Sequence, residues 1–140
     1  MSNGTVKYFT VKEGRAKLAR LAQVAFAHFE KKEKLIFFVP DEATLHFVDT
    51  LLWRFPEESF LPHLIAQDKC DALIALTAGP NNVNAASAAF NLCTSPLLQI
   101  PFKTIYEFED LTAPEKKAAF EIRYRAYKEA QYVIVNDLSY

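Results

Sequence analysis

Lys34-Leu35-Ile36-Phe37-Phe38-Val39-Pro40-Asp41 (KLIFFVPD) is the stretch on which the fold turns. Five successive apolar residues between a lysine and a proline leave no polar face. Residues 35–39 therefore read as an interior strand covered on both sides, as in a parallel sheet. Pro40 lacks the amide hydrogen a ladder needs and stops the strand, Asp41 supplies a helix N-cap, and Glu42 stands favourably in the first turn. Residues 42–54 then place Leu45, Val48 and Leu52 on one stripe, and that helix ends before Pro56. Upstream, Leu18, Leu21, Ala22, Ala25 and Phe29 recur at helical spacing over 16–33, preceded by a β-branched and aromatic strand, VKYFTV, at 6–11. Strand, helix, strand, helix in this order implies a right-handed βαβ unit. The expected fold is α/β, a three-layer α/β/α sandwich on a mostly parallel sheet.

Beyond residue 63 the elements shorten. Residues 64–66, 72–77, 88–93 and 104–108 are strand candidates, with Gly79-Pro80-Asn81-Asn82 as a turn between them. Pro114 opens a last helix running to about residue 130. Residues 132–135 (YVIV) read either as a terminal strand or as an apolar tail packed back on the core. With 140 residues, 51% of them hydrophobic, the chain has the size of one domain, 1–140, and enough apolar surface for a core without staples.

Several chemistries are disfavoured. Sixteen Lys and Arg against 17 Asp and Glu leave a net charge of -1, without the broad basic field of a nucleic-acid binder. The three glycines, Gly4, Gly14 and Gly79, are scattered, so no phosphate-cradling loop exists. Cys70 and Cys93 are too few for a disulfide framework, and with three histidines they show no zinc-ligand spacing. The expectation is two reduced thiols, no metal and no cofactor. There is no basic start followed by an apolar stretch, nor any run of about 20 apolar residues, so a soluble cytoplasmic protein is expected. Asn3-Gly4-Thr5 fits a glycosylation sequon without meaning in that setting. Cys93 with His63 or His46 is the available nucleophile–base pair for a small α/β enzyme, yet no motif frames it. His28, on an alanine-rich helix, reads as a surface residue, and Glu57-Glu58 as solvated loop charge.

Two segments ask for more than packing. Between Trp53 and His63, Trp53, Phe55, Phe60 and Leu61 crowd into a stretch that Pro56 and Pro62 keep irregular. A surface loop of this kind either exposes aromatic anchors to a partner or folds inward as a cap. The second is the last helix. At 100° per residue from Lys117, Tyr124, Lys128 and Glu121 fall within about 40° of one line, while Ala119, Ile122, Ala126 and Ala130 cluster opposite as the expected core face. Arg125 borders the polar side. Residues 114–130 hold five Lys or Arg and three Glu, a local +2. A phenol among cations suits a ligand both acidic and apolar, such as a protein tail ending in a carboxylate; the other reading is a solvated face with one snorkelling tyrosine.

Both segments resemble the chi subunit of bacterial DNA polymerase III. Leu52-Trp53 followed by Ser59-Phe60-Leu61-Pro62-His63 is similar to that family's LW…SF-x-PH signature, and Arg123-Tyr124-Arg125-Ala126-Tyr127-Lys128 to its C-terminal RYKAYR-like helix. The resemblance implies a mononucleotide-binding-like sandwich that holds no nucleotide, in a non-catalytic accessory protein of the clamp-loader assembly. It implies two partners, the psi subunit and the acidic C-terminal tail of single-stranded-DNA-binding protein, with no direct nucleic acid and no membrane. By position, Trp53, Phe60 and Leu61 would face psi, and Lys117, Tyr124 and Arg125 would hold the tail. Glu121 departs from the pattern, standing where a basic residue would help capture an acidic tail. It either opposes the ligand or pairs with Lys117 or Arg125. The tail is accordingly expected to bind at roughly micromolar strength, about -8 kcal/mol, and less tightly as salt is added.

Overall fold

The computed structural model describes residues 3–54 and 60–138. Its elements in chain order are β1 (Thr5–Val11), α1 (Gly14–Lys31), β2 (Leu35–Phe38), α2 (Glu42–Arg54), β3 (Leu64–Ile65), β4 (Ile74–Thr77), β5 (Ala88–Asn91), β6 (Thr104–Asp110), α3 (Pro114–Glu129) and β7 (Val133–Asn136). The strands form one seven-stranded sheet in the order β3-β4-β2-β5-β6-β1-β7. Every pairing between them is parallel.

β2 is buried along its whole length, as its unbroken apolar run requires. It lies between β4 and β5, with Phe37 level with Leu76 and Phe90. Alternate residues of the strands feed two cores. One lies under α1 and α2 and joins Phe9, Phe37, Phe90 and Phe108 to Val24, Val48 and Leu52. The other lies under α3 and joins Val6, Ile36 and Ile105 to Tyr127, together with Val83 and Phe102 from the connecting loops.

Helix boundaries follow local chemistry. Asp41 caps α2 by accepting from the Thr44 amide at 2.8 Å, which holds its carboxyl below the usual range. α1 ends where Lys32 turns left-handed at φ 57° and its amide bonds back to His28 and Phe29. At Gly4, φ is +150°, and a Cβ would stand 2.5 Å from the Phe102 carbonyl, so only glycine lets β1 enter between its neighbours.

Of residues 132–135, left open as strand or tail, 133–135 fall in the edge strand β7, level with β1, while Tyr132 packs into the core under α3. Two expectations are corrected. His28 is buried at 6% exposure rather than on the surface, because Tyr106 offers its hydroxyl to Nε2 at 2.8 Å. α3 also sits about a quarter turn from the orientation read off its charges. Its buried residues are Phe120, Arg123 and Tyr127, whereas Ile122, assigned to the core face, is 64% exposed. Arg123 can turn inward because Glu107, fully buried on β6, receives its Nε at 3.0 Å. A pattern that counts arginine as solvent-facing rotates the helix the wrong way.

Candidate functional site

The Trp53 region is assembled by the end of α2 and the approach to β3. Leu52 is wholly buried, and the next residue, Trp53, emerges with 40% of its surface exposed. The Leu61 amide donates to the Leu52 carbonyl at 3.1 Å, clamping the returning chain to the last turn of α2. Leu61 is thereby buried at 1% exposure, so it supports this surface from beneath instead of presenting a contact as expected. Phe60 beside it is 61% exposed and takes a left-handed φ of 47°, a conformation that bulky side chains adopt only when the surroundings impose it. His63 packs its ring 4.4 Å from Trp53. Phe55, Glu57 and Glu58 lie outside the described residues. Exposed Leu64 and Ile65 on the edge strand β3 extend the apolar area; sequence reading missed them because two residues are too short to show which face they present.

The second surface lies on α3. Lys117, Arg125 and Lys128 are exposed. Tyr124 is half-buried rather than free on the outer side. Its ring meets Tyr8 edge-on at 6.3 Å and Phe120 at 6.1 Å, and Tyr8 and Phe120 approach each other at 5.2 Å. The tyrosine is therefore backed by an aromatic floor from β1 and α3 while its remaining surface stays open beside the cations. Burial, then Glu109 and Tyr124, raise the Tyr8 hydroxyl above its ordinary value. Glu121 is exposed and forms no ion pair with Lys117 or Arg125 among the described residues.

Between the helices, at the C-terminal ends of the strands, lies a cavity of about 530 Å³ whose lining includes Lys17, Phe47, Cys93, Asp110, Lys116 and Arg123. Lys17 binds Asp110 at 2.7 Å on its rim. Burial, reinforced by Glu107, pushes the Cys93 thiol up. No histidine among the described residues lines this cavity. His63 is engaged by Trp53 and Asp49, and exposed His46 lies 3.7 Å from Glu42. Neither proposed base therefore lines this cavity with Cys93. No group of acidic, histidine or cysteine side chains suited to a metal ion occurs among the described residues, and none of their helices is long and apolar enough to cross a membrane.

The family described as DNA polymerase III chi subunit, HolC, matches residues 4–135. The chain belongs to the DNA polymerase III chi subunit family. It is thus an accessory subunit of the replicative polymerase, and the chi match spans every strand and helix described above except the last residue of β7, Asn136. No curated protein sequence matches the chain at a significant level.

Proposed function

We propose that this chi-family protein links the clamp-loader assembly of DNA polymerase III to the C-terminal tail of single-stranded-DNA-binding protein, working in the cytoplasm without catalysis and without touching DNA itself. The observation that carries the reading is Tyr124, floored by Tyr8 and Phe120 and open beside exposed Lys117 and Arg125. An apolar terminal ring of the tail packs on the phenol, and the acidic groups take charge-assisted hydrogen bonds from the cations, each contributing about 1.5–3 kcal/mol when well formed. The distant Trp53 and Phe60 surface serves the psi subunit, its exposed rings acting as anchors.

Calorimetric titration with a peptide of the tail tests this directly. Tyr124→Ala and Lys117→Ala each weaken binding about tenfold, near 1.4 kcal/mol. Glu121→Lys strengthens it, because an exposed and unpaired carboxylate is exchanged for a cation. Added salt weakens the wild-type complex. Unchanged binding in both alanine variants overturns the assignment.

A further inference from the structure

We propose that His63 is the positioning residue of the Trp53 surface, a buried pedestal that fixes the indole, the Phe60 turn and the β3 edge as one preformed unit. The identity of the partner rests on the reading of this surface as psi-facing; the geometry does not. The His63 side chain is 0% exposed although it lies under the exposed Trp53, with ring centroids 4.4 Å apart at 46°. Both ring nitrogens are engaged, Nδ1 at 2.6 Å from the Leu61 carbonyl and Nε2 at 2.7 Å from Asp49 Oδ1. A backbone carbonyl and a carboxylate thus stand at the two ring nitrogens, one on each side of the imidazole. A half-turn of the ring would set carbon atoms against two acceptors, which locks its orientation.

The anchors come from separate parts of the chain. Asp49 stands one helical turn before Trp53, so a single stripe of α2 carries both the anchor and the indole; Glu42 and His46 share that stripe and pair with each other. Leu61 belongs to the segment that returns from Phe60, and His63 immediately precedes the exposed Leu64 of β3. One imidazole therefore joins three exposed apolar pieces, and its ring packs against the indole.

Plain packing does not explain this choice. A buried polar pair is commonly no more stabilising than apolar residues of the same shape, and leucine or phenylalanine would fill the space. What the imidazole adds is direction, two hydrogen bonds in fixed positions under a ring that must stay exposed.

Trp53 is the single tryptophan of the chain, so its fluorescence reports this surface alone. The test compares wild type, His63→Leu, Asp49→Asn and Val48→Ala at temperatures well below unfolding. Each is assayed for acrylamide quenching of Trp53 and for affinity toward purified psi. Val48, fully buried on α2, supplies a destabilised control that leaves His63 in place. His63→Leu is expected to shift Trp53 quenching about twofold and to weaken psi binding about tenfold. Asp49→Asn is expected to do so to a smaller degree, and Val48→Ala to do neither. Wild-type quenching in folded His63→Leu overturns the proposal, as does an equal change in Val48→Ala. Should His63→Leu not fold, wild-type quenching and affinity in Asp49→Asn overturn it instead. Undiminished psi binding by Trp53→Ala removes the partner assignment, while the quenching comparison still judges the pedestal.

Discussion

The Glu107 carboxylate on β6 and the Arg123 guanidinium on α3 meet at 3.0 Å with side chains 0% and 9% exposed. The second oxygen of Glu107 accepts from the Tyr127 hydroxyl at 2.7 Å and from Asn91 Nδ2 at 2.8 Å. Arg123 also reaches the Thr94 carbonyl, and the Tyr127 hydroxyl accepts from the Leu97 amide at 3.0 Å. This network sets the rotation of α3 and holds the loop after β5. It thereby decides which side chains of α3 are left for a ligand. Burial pushes the Glu107 carboxyl up, against the pull of Arg123, Tyr127 and Asn91, and the same burial, with Glu107 itself, raises the Tyr127 hydroxyl.

Breaking this pair from one side strands the other charge in the core. Glu107→Leu and Arg123→Leu are each expected to lower unfolding free energy by about 3–5 kcal/mol. The double variant should lose much less than the sum, since no buried charge remains unmatched. Chemical denaturation of the four proteins measures the coupling, and strictly additive losses would show that the pair is not coupled.

The front half of the fold was legible because each local signal agreed with its neighbours. An uninterrupted apolar strand, a proline stop and an aspartate cap point to one answer at residues 35–54, and α2 has the expected bounds. α3 was legible as a helix but not in its facing. Periodicity assigns charge to solvent, and here one arginine is internal because a glutamate sixteen residues earlier awaits it. His28 failed for the same reason, its partner Tyr106 being 78 residues away. At the site, Trp53, Phe60, Tyr124 and Lys117 could be singled out as candidates by residue type, but the burial of Leu61, the aromatic floor under Tyr124 and the contacts of His63 are tertiary pairings that no spacing rule encodes.

Stability is expected to fall on mild acidification through His28. Burial lowers its proton affinity in the folded protein, opposed by the Glu33 carbonyl at 3.2 Å from Nδ1. The unfolded chain therefore takes up the proton first, as pH drops through about 6.5, and stability declines until the folded histidine titrates as well. Glu107 acts with the opposite sign, since a raised carboxyl is relieved by acid. Melting temperatures of wild type and His28→Gln between pH 7.5 and about 5 separate the two, and the variant, though less stable at pH 7.5, should show the shallower decline. Parallel curves would remove His28 as the cause.

Cys93 should behave as an unreactive thiol. Burial first, then Glu107, raises it despite the nearby Arg123, so little thiolate exists at neutral pH. In a Cys70→Ser background, labelling by a disulfide reagent at pH 7.5 is expected to run at least about tenfold slower than that of free cysteine. Rapid labelling would restore Cys93 as a candidate nucleophile.

Phe60 offers a way to separate presentation from stability. Its left-handed φ of 47° costs an L-residue about 1–2 kcal/mol, yet the ring is 61% exposed and contributes little to the core. Phe60→Gly releases that strain and gives back about 0.5–1 kcal/mol through the greater freedom of the unfolded chain. Its unfolding free energy should therefore stay within about 1 kcal/mol of wild type. Phe60→Ala keeps the strain and loses the ring, so it should be the less stable of the two. Both variants should bind psi at least about tenfold more weakly, because they lack the same anchor. Denaturation curves and psi affinities together decide the matter. Full affinity in the glycine variant would mean that the strained turn serves the chain's own path and that the exposed ring is incidental to the partner.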